Sequence, residues 1–74
     1  MTVKEQIRKA ILIAGYDHKQ YDLLGDRTGR YSIIHNIGKS SKHVASIKPV
    51  LFKYDVELMS RWIGFKFELN KGGV

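Results

Sequence analysis

Cysteine is absent from the 74 residues. That excludes disulfides, thiolate metal ligands and cysteine nucleophiles, and it favours a reducing compartment. Long apolar runs are missing too: the longest, Ala10 to Tyr16, falls far short of the roughly 20 residues of a membrane span. Nor is there the apolar region and cleavage site of a signal peptide. The expected location is therefore the cytoplasm, with no membrane contact. Proline occurs once, at Pro49. Acidic residues are few, seven against thirteen Lys and Arg, for a net charge of +6.

Acids are also unevenly placed. None occurs between Arg27 and Tyr54, a window holding Arg27, Arg30, Lys39, Lys42, Lys48 and Lys53 with His35 and His43. The chain is 43% hydrophobic, too apolar for a disordered polypeptide. Its length allows one small core and no second domain. The expected organisation is a single domain over 1–69 and a flexible, glycine-containing tail over 70–74.

The first element reads as a helix. Thr2 and Glu5 have the spacing of a capping box, and Val3, Ile7, Ala10, Ile11 and Ala14 recur at helical spacing to form one apolar stripe. Lys4, Arg8 and Lys9 lie off that stripe. Gly15 supplies the left-handed stop, after which Tyr16 folds back onto Ile11. Leu12 and Ile13 fall outside the stripe, so the last turn is expected to be covered on more than one side. Asp17 to Gly25 has two readings: a short helix capped by Asp17 with Gln20 and ending at Gly25, or a strand over Tyr21 to Leu24 entering the turn Gly25 to Gly29.

Arg30 to Ile37 alternates as a strand. Gly38 to Lys42 is a polar loop by composition, and His43 to Lys48 is a short strand or a helical turn. Val50 to Trp62 reads either as a helix with two apolar faces or as a strand with Val50, Phe52, Tyr54, Val56 and Leu58 on one face; β-branched and aromatic content favours the strand. Ile63, Phe65, Phe67 and Leu69 alternate as a second one. Paired as a hairpin, the two segments set Val56 against Phe65, Tyr54 against Phe67 and Phe52 against Leu69. Lys53 then faces Glu68, and Asp55 faces Lys66, two opposite-charge pairs. Pro49 fits the entrance of an edge strand. The expected fold is α+β: an N-terminal helix on a three- or four-stranded antiparallel sheet ending in a C-terminal hairpin. Its core would combine the helix stripe with Ile33, Phe52, Tyr54, Val56, Phe65 and Phe67.

Several chemistries fail on spacing. Gly38-Lys39-Ser40 has the form of the end of a phosphate-binding loop, but the required glycine five positions earlier is Ile33. His18 with Asp17 and Asp22, and His35 with His43, reproduce no tight zinc spacing. His35 on an apolar strand face reads as a half-buried, hydrogen-bonded residue. Asp55, Glu57 and Lys66 are explained as a solvated face. No enzyme, metal or cofactor is expected.

The acid-free window carries the functional expectation. Lys and Arg neutralise phosphates with release of counterions, and Tyr31 and Trp62 offer stacking surfaces. The chain is expected to bind DNA or RNA through Arg27, Arg30, Lys39, Lys42 and Lys48, with Tyr31 and Trp62. The alternative is a protein-binding module, an inhibitor or accessory factor such as mobile elements carry. It would act through an apolar patch of Leu12, Ile13, Leu51, Met59 and Trp62, by self-association, or by meeting an acidic partner with the basic window.

Overall fold

In the computed structural model residues 1–72 are described, and their order is α1 (Val3–Ile13), β1 (Tyr21–Gly25), β2 (Tyr31–Ile37), β3 (Ser40–Ile47) and α2 (Val56–Gly72). Short 3-10 turns at His18–Gln20 and Pro49–Phe52 join the layers. The strands form an antiparallel meander in the order β1-β2-β3, which leaves β3 as an edge. Both helices pack on one face of this sheet. Their buried residues, among them Ile7, Ile11, Met59, Ile63 and Phe67, share one core with Tyr21, Leu23, Ile33, Ala45 and Ile47. The α+β class is as the sequence predicts.

Helix α1 begins and ends by the expected devices. The Thr2 hydroxyl accepts from the Glu5 N–H at 3.1 Å, and the Glu5 carboxylate accepts from the Thr2 N–H at 3.1 Å. Gly15 takes φ +95°, so the Gly15 N–H reaches the Leu12 carbonyl and the Tyr16 N–H the Ile11 carbonyl. This double bond back into the last turn satisfies carbonyls that the helix would otherwise leave open. The Tyr16 ring packs edge-on against Phe67, centroids 4.8 Å apart. Leu12 and Ile13 are exposed, so the last turn is covered on one side only.

Of the two readings of Asp17 to Gly25 the strand holds, and the helix is reduced to a 3-10 turn over His18–Gln20 instead of running to Gly25. Asp17 accepts from the Lys19 N–H at 3.0 Å and caps the 3-10 turn, and β1 follows at once. Arg8 clasps the junction, donating from Nη1 to the carbonyls of His18 (2.8 Å) and Tyr21 (3.1 Å). The loop expected at Gly38 to Lys42 shrinks to a tight turn, because β3 already starts at Ser40. The segment 43–48 is strand as far as Ile47, with a register irregularity between Ile33 and Ile34 that leaves Val44 unpaired.

The C-terminal hairpin does not form. Pro49 opens a 3-10 turn, and Lys53 and Tyr54 take positive φ of 53° and 57°. Asp55 then accepts from the N–H groups of Glu57 (2.9 Å) and Leu58 (3.2 Å). These contacts satisfy orphan donors of the first turn of α2 and start a helix where the sequence suggests strand continuity. Ser60 and Arg61, which the hairpin register would place between its two strands, lie inside α2.

The period-2 pattern misleads for a geometric reason. Ile63 and Phe67, four apart, share the buried side of α2, whereas Phe65 and Leu69, also four apart, share an exposed side. Two interleaved helical stripes read as one alternating strand. Phe65 and Tyr54 are therefore exposed, and Phe52 and Val56 only half-buried, rather than core. Helix α2 runs through Asn70, where the tail was expected to begin, and on to Gly72; the rest of that tail, 73–74, lies outside the described residues.

Candidate nucleic-acid interface

The meander decides where each cation goes. Arg27 and Arg30 sit on the β1–β2 turn. Ile47 pairs with Tyr31, so Lys48, the next residue, emerges at the same end of the sheet. Lys39 lies in the β2–β3 turn and Lys42 pairs with His35, which places both at the opposite end. The seven residues of β2 hold the two groups about 20 Å apart at the rise of an extended strand. The five predicted phosphate contacts thus form two clusters, Arg27/Arg30/Lys48 and Lys39/Lys42, joined by the exposed edge of β3.

The local structure holds these side chains outward. Asp26 organises the β1–β2 turn, accepting from the Thr28 N–H (2.7 Å), the Thr28 hydroxyl (2.6 Å) and the Arg30 N–H (3.1 Å). Those hydrogen bonds from Thr28, with a smaller one from Arg30, hold its carboxyl below its ordinary range. The one acid beside the arginines is thereby engaged by the backbone. Gly25 is required where Tyr31 crosses it: a Cβ there would stand 2.8 Å from the Tyr31 ring. Arg27, Arg30, Lys39 and Lys42 are exposed and Lys48 is half-buried. None of the five is tied into an ion pair among the described residues.

The two expected stacking residues are not free platforms. Tyr31 is half-buried against the core and over Gly25. Trp62 lies on α2 and not on a strand; its ring meets Phe52 at 5.7 Å, and Lys66 Nζ stands 5.6 Å from its centroid. The indole is thus already engaged by a neighbouring ring and by a cation. Lys66, which the sequence reading assigned to a strand charge pair, instead borders a groove between α2 and the β3 edge with Ser46, Trp62, Leu69 and Asn70. It contributes a cation between the two clusters. The folding of residues 56–72 as helix is what brings it there, and no local pattern signals it.

A second groove opens at the Lys42 end. Tyr21 forms its floor, stacked on Phe67 at 4.9 Å and on His35 at 4.5 Å. His35 is half-buried and its Nε2 lies 3.1 Å from the Gln20 side-chain oxygen, as the strand pattern implied. Lys42, Asp17 and Asn70 stand around the rim. Burial raises the Tyr21 hydroxyl's pKa, and it raises that of Tyr16 further along the wall, whose hydroxyl also donates to Glu68 at 2.9 Å. Both therefore remain neutral donors at physiological pH. The aromatic surface nearest the basic edge is this His35–Tyr21 stack, which sequence alone did not single out.

On the sheet face away from the helices, polar side chains link the strands around Leu24 and Ile34. Asn36 donates to Asp22 at 2.9 Å and Ser41 donates to Asn36 at 3.0 Å across the strands, while His43 meets Ser46 at 3.0 Å. Among the residues of the alternative apolar patch, Met59 is fully buried and Trp62 half-buried, whereas Leu12 and Ile13 are exposed at the end of α1 and Leu51 on the 3-10 turn Pro49–Phe52. No helix among the described residues is long and apolar enough to cross a membrane. Comparison with known proteins finds no match to this chain among family models, curated proteins or solved structures.

Proposed function

We propose that this chain is a non-catalytic domain that binds the phosphates of a nucleic acid along the β3 edge. Lys39 and Lys42 engage one stretch of backbone and Lys48, Arg27 and Arg30 another, with Lys66 between them. The observation that carries the reading is the exposure of Arg27, Arg30, Lys39 and Lys42, with the half-buried Lys48 beside them, in a stretch without acidic residues over 27–54. Each is available to displace counterions. The tight turns and the β-bulge hold the two clusters at a fixed separation, so contacts at both ends require a ligand that extends over about 20 Å. A nucleic-acid backbone does this, whereas a mononucleotide reaches one cluster at a time.

Lysine on an edge strand has a second use, since charge there discourages strand addition. The two roles separate by titration. Fluorescence anisotropy of labelled single-stranded and duplex DNA and RNA, repeated at several salt concentrations, should give a linear fall of log affinity with log salt. Five or six phosphate contacts correspond to a slope of about −4.5 to −5.4 on a DNA duplex. K39E/K42E and R27E/R30E should each reduce the slope by about 2, and their effects should add because the clusters are too far apart to couple. A folded K39E/K42E protein with unchanged slope overturns the proposal, as does failure of the wild-type protein to bind any of the four ligands at low salt.

A further inference from the structure

Tyr21 is only 5% exposed, yet its hydroxyl has no hydrogen-bond partner among the described residues. A buried tyrosine ordinarily pairs its O–H, so this donor is left for an acceptor from outside the chain. The residue lines a cleft of about 490 Å³ at the Lys42 end of the sheet. That volume falls within the range of about 300–1,000 Å³ typical of small-molecule sites.

The walls restrict what can enter. Three rings lie nearly parallel in one row: Tyr21 stacks on Phe67 with 17° between the planes and on His35 with 14°. Strand pairing continues the row to Lys42, since Tyr21 pairs with His35 and His35 with Lys42. Lys42 therefore stands two strand spacings from Tyr21, about 10 Å. Polar groups of both kinds border the rings. The Gln20 side-chain oxygen is engaged by His35, which leaves its amide N–H groups as donors. Asn70 is the converse: its amide nitrogen donates to the Val44 and Lys66 carbonyls, which leaves its oxygen as an acceptor.

A flat ring with donors and acceptors on its edge, and an anion one linker away, matches this set. A phenylalanine or tryptophan side chain of a protein partner offers the Tyr21 hydroxyl no acceptor and Lys42 no charge. A base within a duplex turns its edge to its complement, so only an unpaired nucleotide can enter.

We infer that the cleft takes one unpaired nucleobase of the strand whose phosphates the basic edge binds, an inference that rests on that reading and adds that the strand is single. The base packs against the ring row and accepts from the Tyr21 hydroxyl, while its own phosphate lies on Lys42. Unstacked bases are held on aromatic side chains in this way by single-strand binders.

Anisotropy of a labelled single strand containing all four bases, compared with an abasic strand of equal charge, tests it. Far-UV circular dichroism confirms that each variant is folded. The base-bearing strand should bind about tenfold more tightly, the order of one stacked base. Y21F and H35A should each bring its affinity down toward that of the abasic strand, and should leave abasic binding and the salt slope unchanged. In NMR titrations, 5′-mononucleotides should move the amide signals of Gln20, Tyr21 and His35.

Equal affinity for the two strands overturns the inference and leaves phosphate binding standing. So does a base preference that Y21F and H35A both leave intact. If neither strand binds at low salt, the phosphate reading falls and the mononucleotides decide the cleft: shifts confined to its walls sustain a base site, and their absence overturns it. Shifts there with N-acetyltryptophanamide but with no nucleotide overturn it as well.

Discussion

Ile63 and Phe65 stand two residues apart in one apolar run, and the structure gives them opposite fates. Ile63 is fully buried between α2 and the rest of the core, whereas Phe65 is 61% exposed. Truncating Ile63 to alanine removes three carbons from a close-packed site, a change that costs about 2–5 kcal/mol depending on how far the cavity collapses. At roughly 0.05–0.15 kcal/mol per residue, a chain of this length has only about 4–11 kcal/mol in total, so I63A should remove a large part of it. F65A strips a side chain already in water and should lie within about 0.5 kcal/mol of wild type.

Urea unfolding followed by Trp62 fluorescence measures both, since the indole packs on Phe52 and loses that contact on unfolding. A C-terminal hairpin would put Ile63 and Phe65 on the same buried face and make the two substitutions similarly costly. Equal destabilisation would therefore refute the helical assignment of residues 56–72 and the two-sided reading of α2 with it.

Two further outcomes follow from local geometry. Asp55 supplies the side-chain cap that starts α2, so D55A should cost about 1 kcal/mol and lower the melting temperature by several degrees in a domain of this size; an unchanged melting curve would mean that the cap does not hold the helix. Asp26 has its carboxyl pKa lowered by the Thr28 and Arg30 hydrogen bonds, so the folded state binds its proton later than the unfolded chain does. Its contribution is present above the ordinary aspartate value of about 3.9 and is lost as pH falls through the lower folded value. D26N should flatten the acid limb of stability against pH, and a variant whose acid limb matches the wild type would show that this carboxylate contributes nothing.

The parts of the fold legible in the sequence are those controlled by neighbours along the chain. The capping box at Thr2 and Glu5, the helical spacing of Ile7, Ala10 and Ile11, and the glycine stop at Gly15 are all contacts within a few residues, so their pattern is their cause. β2 was equally legible, because Tyr31, Ile33, His35 and Ile37 alternate with Ser32 and Asn36 and only Ile34 breaks the pattern. The segment 50–69 was not. Its apolar residues serve two sides of a helix, and two stripes each spaced by four produce the same alternation as a strand. The opposite-charge pairs that the hairpin register offered were a consequence of that same coincidence. Asp55 was the available local signal against it, a helix-capping residue type immediately before Val56.

The candidate site divides in the same way. Composition alone determined that residues 27–54 carry cations without acids, and nothing about the fold alters that. Whether the cations gather or separate depends on the direction of each strand, and the meander sends consecutive turns to opposite ends of the sheet. Tyr31 and Trp62 are aromatic in any fold, but packing against Gly25 and Phe52 takes them out of the set of open stacking surfaces. Lys66 joins the basic edge, and Leu58, Phe65 and Leu69 align on an outer face, only because residues 56–72 are wound into a helix. The sequence by itself determined which chemistry the surface has to offer; the tertiary structure decided where it is presented, since distances between residues far apart in the chain are set by packing and strand pairing.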